Sequence, residues 1–283
     1  MTDRAPVDLY VMDLPAEADE TSQPLVVIHG LLGSADNWRS HLKVWQRKRR
    51  VVAVDLRNHG RSPHAEGMSY RAMSQDVLAA LDKLGIEQAH VLGHSMGGKV
   101  AITLARQAPQ RCLSLMVADI APVAYQHGHD DVFAALEQVR EGQPTNRREA
   151  DALLAEHVDS RPTRLFLATN LVRDEQGVMG VRVGLDEIKR GYEAIIGKPD
   201  GDAPYEGATL VLRGADSHYV SDDMLPALRE VLPRARLVTL KKRRALATRR
   251  PARGVSASHR CFHSGAIVRP CWSGALKKRL RMR

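Results

Sequence analysis

Short apolar runs separated by amphipathic stretches set the rhythm of this chain. Leu25-Val26-Val27-Ile28 and Val51-Val52-Ala53-Val54 are continuous apolar segments, too short for buried helices and of the kind found in strands covered on both faces. Ala89 to Leu92, Leu113 to Val117, Thr209 to Leu212 and Leu237 to Leu240 read the same way, whereas Val7 to Leu14 alternates like an edge strand. Between these runs, apolar residues recur at helical spacing over Ser34 to Gln46, Tyr70 to Leu84, Lys99 to Gln107 and Asp222 to Val231. Strands alternating with helices predict an α/β fold on a mostly parallel, doubly wound sheet.

One interval breaks the rhythm. From Pro122 to about Asp202 there is no strand signal, only amphipathic helical stretches such as Asp131 to Arg140, Arg147 to His157 and Glu187 to Ile196. The chain therefore divides into a first core part (1–121), a helical insertion (122–202), a second core part (203–240) and a remainder (241–283). An insertion at this place is expected to cap a site, setting substrate size and excluding water. A purely structural subdomain fits the pattern equally well.

Net charge is +9, but it is unevenly placed: residues 241–283 carry 14 Lys and Arg and no Asp or Glu, which leaves 28 basic against 33 acidic side chains in the first 240 residues. The body is thus mildly acidic, which argues against nucleic acid as its partner. The basic tail has only Phe262 and Trp272 as aromatics, too few for a single-strand stacking platform, and a charge run is more often simply solvated. No stretch approaches the roughly 18 apolar residues of a membrane span, and the N-terminus lacks a basic patch followed by an apolar run. A cytoplasmic protein with no membrane partner is the expectation. Three cysteines, Cys112, Cys261 and Cys271, make neither a disulfide framework nor a Cys-x-x-Cys metal pair, so no metal and no cofactor are expected.

The chemistry concentrates in Gly93-His94-Ser95-Met96-Gly97-Gly98, which follows the strand at Ala89 to Leu92 and opens the helix at Lys99. Strand, sharp turn and helix around a glycine-flanked serine form a nucleophile elbow. The turn strains the serine backbone, and the flanking glycines are required where a side chain would strike the neighbouring strand and helix. Ser95 then projects above the sheet with a helix N-terminus behind it, favouring negative charge on a developing oxyanion.

Together with His29-Gly30-Leu31-Leu32-Gly33-Ser34, Asp55 to His64, Asp119-Ile120-Ala121-Pro122-Val123 and Arg213 to Val220, the elbow makes the chain resemble the α/β-hydrolase superfamily, and more narrowly the YbfF-like esterase group. The resemblance covers most of residues 25–240. It implies that Ser95 is the nucleophile and that the backbone N–H groups of Leu31 and Met96 form the oxyanion hole. It also implies a triad acid. Many members carry this acid in a Gly-x-x-Asp-x-x-Val loop after the later strand, yet Ser217 stands where that Asp belongs and Asp216 lies one residue early. The YbfF-like group places its acid at the end of the strand after the elbow, in an Asp-Ile-x-Pro-Val segment, which matches Asp119. Asp119 is preferred, with Asp216 as the alternative. Asp55 to His64 is rich in turn formers and charge, which alone reads as a solvated loop packed under the site; the resemblance makes it a marker of the group with no chemical role for His59 or His64, and His94 is expected to be a packing or orienting residue.

A general base is not evident. After the last strand the family has a Gly-His-Trp type segment, whereas this chain reads Lys241-Lys242-Arg243-Arg244-Ala245-Leu246-Ala247. Arg243 to Ala247 can be encoded by CGC CGG GCA CTG GCT, and the same bases read one position later give Ala-Gly-His-Trp followed by a leucine codon. A frameshift near Arg243 accounts at once for the lost acidic residues, the lost periodicity and the missing histidine; the nucleotide sequence decides it. As written, His259 and His263 are unpositioned, and His218 is not at the family's base position. Absence of the closing helix would leave apolar sheet surface exposed, which predicts low solubility.

The sequence thus points to a cofactor-free serine hydrolase acting on small to medium carboxylic esters, thioesters included, through an acyl-Ser95 intermediate. The alternative from another class is a silent α/β-hydrolase scaffold lacking its base, with a basic tail for nucleic acid or acidic surfaces.

Overall fold

In the computed structural model, which describes residues 5–17 and 22–240, the apolar runs are strands. They are β1 (Val11–Leu14), β2 (Leu25–Ile28), β3 (Val51–Val54), β4 (Ala89–His94), β5 (Cys112–Ala118), the short pair β6 (Leu171–Arg173) and β7 (Met179–Val181), β8 (Thr209–Gly214) and β9 (Ala235–Leu240). Seven of them form one sheet in the order β1-β3-β2-β4-β5-β8-β9, in which only β1 runs antiparallel to its neighbour. The alternating segment at the N-terminus does make the edge, although only Val11–Leu14 of it pairs.

Both faces of the sheet are covered, as continuous apolar strands require. On β2, Val26 and Ile28 enter one core cluster while Leu25 and Val27 enter the other; on β3, Val52 and Val54 part from Val51 and Ala53 in the same way. The larger cluster receives α2 (Tyr70–Lys83) and α3 (Met96–Gln107), which contribute Met73, Val77, Val100 and Leu104 among others. The smaller receives α1 (Arg39–Trp45) and the 3-10 turn before it through Trp38, Leu42 and Trp45. On that face Met116, Leu210 and Val238 of β5, β8 and β9 are half-buried. Helix α2 begins where Ser69 accepts a hydrogen bond from the Ala72 amide at 3.1 Å, an N-cap that satisfies one orphan donor.

Between β5 and β8 the chain builds α4 (Asp130–Gly142), α5 (Arg147–Ala155), α6 (Arg161–Leu167), α7 (Leu185–Arg190) and α8 (Tyr192–Ile196); α9 (Leu225–Val231) then precedes β9. This stretch departs from the sequence expectation in two ways. It contains strands: β6 and β7 pair as an antiparallel hairpin, each three residues long and so below the length at which alternation can be read. The single helix expected over Glu187 to Ile196 is also broken in two at Gly191. A Cβ at that position would lie 2.4 Å from Met68 Cβ, so the junction presses onto the core more closely than any side chain allows.

The register brings the site together. Ile28 pairs with Gly93, His94 with Ala118 and Ala118 with Leu212, so the residues following β2, β4, β5 and β8 emerge along one edge, the carboxyl edge where α/β sheets place their ligands. The tail from residue 241, with His259 and His263, lies outside the described residues.

Candidate active site

Ser95 stands between β4 and α3 with φ +51° and ψ −124°, a conformation costing a non-glycine residue on the order of 1–3 kcal/mol. Its amide donates to Ala118 O at 2.9 Å, and its carbonyl accepts from Gly98 N at 2.7 Å, so the elbow is held from both sides. The flanking glycines are needed for the reason the motif implies. A Cβ on Gly93 would lie 2.1 Å from Gly97 O, and one on Gly97 would lie 2.2 Å from His29 O. Ser95 is neither buried nor fully exposed, and its hydroxyl has no hydrogen-bond partner among the described residues.

The loop after β2 lies against it: a Cβ on Gly30 would approach Ser95 Cβ to 3.1 Å. His29 is buried and neutral, because burial lowers its pKa to about 4. Its Nε2 accepts from Leu56 N at 3.0 Å, which leaves the proton on Nδ1 to be donated to Gly30 O at 2.8 Å. Gly33 N also donates to Gly30 O, at 2.9 Å. Since a trans peptide carries its N–H opposite its carbonyl, fixing Gly30 O fixes the direction of the Leu31 N–H. The Leu31 and Met96 amides have no hydrogen-bond partner among the described residues. Leu31 and Met96 are themselves buried.

Asp119 follows β5 with φ +58° and is 3% exposed. Its amide donates to Leu212 O at 2.8 Å, and its Oδ1 accepts from Gly214 N at 3.4 Å, which ties the carboxylate to β8. Asp119 sits among His94, Tyr125 and Tyr219. Burial lowers the pKa of His94 while the Asp119 charge opposes that shift, and burial with the same charge raises both tyrosines. Asp216 and His218, in contrast, are exposed in the loop after β8. His94 packs edge-on to Trp38, with ring centroids 6.3 Å apart.

The Asp55 to His64 loop is solvated only at its end: Asp55 through Gly60 and Ser62 are buried, while Arg61, Pro63 and His64 are exposed. Asp55 accepts from Ala35 N at 2.6 Å and Arg61 N at 2.9 Å. Arg57 grips Asp76 with two bonds of 2.6 and 2.7 Å. These loops are braced by buried polar groups because they leave the sheet and still need partners for their backbone.

Sequence reasoning missed two side chains that join the core to the insertion. Lys99, in the first turn of α3 and 1% exposed, reaches Ile196 O at 3.2 Å and also Gly197 O, and lies 4.6 Å from the centre of the Tyr125 ring. Burial lowers its pKa to about 7. Asn170, just before β6, donates from Nδ2 to Leu32 O at 2.8 Å. Neither had a signal in the sequence, since each depends on a contact roughly a hundred residues away. Among the described residues, no group of three or more His, Cys, Asp and Glu could hold a metal ion, and no helix is long and apolar enough to cross a membrane.

Comparison with known proteins agrees with this geometry. The family model for the alpha/beta hydrolase fold matches residues 23–243. The sn-1-specific diacylglycerol lipase ABHD11 of Danio rerio is 37% identical over 82% of this chain and 75% of its own length. Esterase YbfF of Escherichia coli (strain K12) is 35% identical over 78% of this chain and 85% of its own. Among solved structures, a marine microorganism esterase superposes with a TM-score of 0.77 at 33% identity, covering 83% of this chain and 91% of that one. The left-handed serine between β4 and α3, the glycines that admit it and these three relatives together place the chain in the α/β-hydrolase family, among the YbfF-like carboxylic ester hydrolases.

Proposed function

We propose that this protein hydrolyses small to medium carboxylic esters, thioesters included, through an acyl-enzyme on Ser95. The observation that carries the reading is the elbow itself, where the half-buried Ser95 at φ +51° lies against the backbone of Gly30. In this scheme Ser95 Oγ attacks the ester carbonyl carbon, and the Leu31 and Met96 amides receive the oxyanion, each donor worth roughly 2.7–4 kcal/mol in comparable sites. The alcohol leaves with a proton from the base, and water then releases the acid from Ser95 by the reverse proton transfers. Asp119 orients the base and stabilises its charged form. Asp119 is favoured over Asp216 because it is buried at a strand end beside the elbow's own hydrogen-bond partner, Ala118, whereas Asp216 is exposed. Residues 122–202 act as a cap that limits the acyl group. The relatives bear the names of an esterase and a diacylglycerol lipase, both of which cleave carboxylic esters.

The base is not assigned to any described residue, and His259 and His263 lie outside them. The test is labelling of Ser95 by a fluorophosphonate, with hydrolysis of p-nitrophenyl acetate alongside, on this chain and on one whose tail follows the offset reading from Arg243. The offset chain is expected to react about 10⁴-fold faster or more. On that background Asp119→Asn should cost about 10⁴ in turnover and Asp216→Asn little. Labelling at another residue, or a larger loss from Asp216→Asn, would overturn the assignment.

A further inference from the structure

We infer that Asn170 is a positioning residue for the oxyanion loop, supplied by the cap and acting through the carbonyl of Leu32; the inference rests on the Ser95 reading above. The first half of the loop is held from within the core, because Gly30 O accepts from both His29 Nδ1 and Gly33 N. The second half is different. Leu32 adopts φ +57°, a left-handed conformation that a branched apolar residue leaves readily unless its surroundings hold it. Its carbonyl is buried, and a buried carbonyl needs a donor. That donor is Asn170 Nδ2, 2.8 Å away and 138 residues further along the chain.

Asn170 is itself fixed. It is 1% exposed, and its own carbonyl accepts from Arg182 N at 2.8 Å, at the far end of the β6–β7 hairpin. A carbonyl oxygen only accepts, so the amide nitrogen of Asn170 must face it. With that donor removed, the Leu32–Gly33 peptide is free to rotate, and the Gly33 N–H it carries swings away from Gly30 O. The Gly30–Leu31 peptide then keeps only the His29 bond, and the Leu31 N–H loses one of the two anchors that set its direction. The hairpin that sequence reading overlooked therefore orders the electrophilic side of the site, beyond covering it.

Asn170→Asp keeps the volume but sets an acceptor against Leu32 O, and Asn170→Ala removes the side chain. Two measurements are made on the full chain: the second-order rate of Ser95 phosphonylation by a fluorophosphonate, and amide hydrogen exchange of residues 29–34 against that of β4 and β5. The labelling rate should fall about 10- to 100-fold, below the roughly 10²- to 10³-fold of a donor lost outright, because the Leu31 N–H is displaced and not removed. Exchange should quicken in residues 29–34 while β4 and β5 keep the parent's protection, a pattern that general destabilisation does not produce. Asn170→Asp carries the test if Asn170→Ala fails to fold. Labelling within about twofold of the parent, or exchange that rises evenly across the sheet, overturns the inference and leaves the nucleophile assignment standing. No Ser95 labelling in the unaltered protein or in the offset chain removes that assignment, and the inference with it.

Discussion

A Gly97→Ala substitution would place its Cβ 2.2 Å from His29 O, 2.6 Å from Ile28 O and 2.9 Å from Ile28 C. All three obstacles are main-chain atoms at the end of β2, so no side chain can rotate aside. An ordinary carbon–oxygen contact is about 3.3–3.6 Å, so α3 and β2 must separate by about 1 Å. Overpacking of this sort costs about 1–3 kcal/mol, and backbone-only clashes put this case near 3. In a domain of this size each kcal/mol moves Tm by about 2–4 °C, which gives a fall of about 6–12 °C. The same displacement moves Ser95 away from the Gly30–Leu31 peptide, and a misplacement of about 1 Å can cost about 10²-fold in rate. The assay pairs thermal melting by circular dichroism with fluorophosphonate labelling of Ser95. Gly180→Ala is the control, because a Cβ there meets nothing within 4 Å. If Gly97→Ala melted within about 2 °C of the parent and labelled at the parent rate, the claim that this glycine is required by close backbone approach would be wrong.

Three further outcomes follow from buried polar groups. Burial lowers Lys99 to about 7, so between about pH 7 and 10 the unfolded chain holds a proton that the folded chain has released, and stability rises with pH across that window; Lys99→Met should flatten this rise in urea titrations at successive pH values. Burial likewise lowers His29 to about 4, His59 to about 3 and His129 to about 4. The unfolded chain takes up these protons near pH 6.5 and the folded chain only below about pH 4, so stability should drop as pH falls from 6.5 towards 4, and a urea midpoint unchanged between pH 7 and 4.5 would refute it. Arg57→Ala strands Asp76, which is fully buried with its carboxylate on Arg57 at 2.6 Å, and should cost about 3–5 kcal/mol by denaturant unfolding; a loss below about 1 kcal/mol would mean that water or another donor replaces the guanidinium.

The sheet was legible because its signal is local. Four-residue runs such as Leu25 to Ile28 and Val51 to Val54 are apolar on both faces, and only a strand between two helical layers buries such a run at that length. The elbow was legible for the same reason, since Gly93, Ser95 and Gly97 are fixed by collisions between neighbours within a few residues or one strand away. Asp119 was singled out by its Asp-Ile-x-Pro-Val segment, whereas its burial and its tie to β8, against the exposure of Asp216, came only with the β5–β8 pairing. Helix and strand detail inside 122–202 was the least legible. The β6–β7 hairpin is too short to show a period, and the break at Gly191 is dictated by Met68, in a different part of the chain.

By itself the sequence determined the parallel sheet, the turn that presents Ser95 and the neutral-to-acidic balance of residues 1–240, all consequences of patterns repeated over a few residues. Tertiary structure alone decided that Lys99 is buried against the end of α8 and that Asn170 donates to the Leu32 carbonyl in the loop after β2. It also decided that the Asp55 to Gly60 loop is interior. These depend on which backbone carbonyls and amides are left without partners once the layers have packed, and that inventory exists only after distant segments have met.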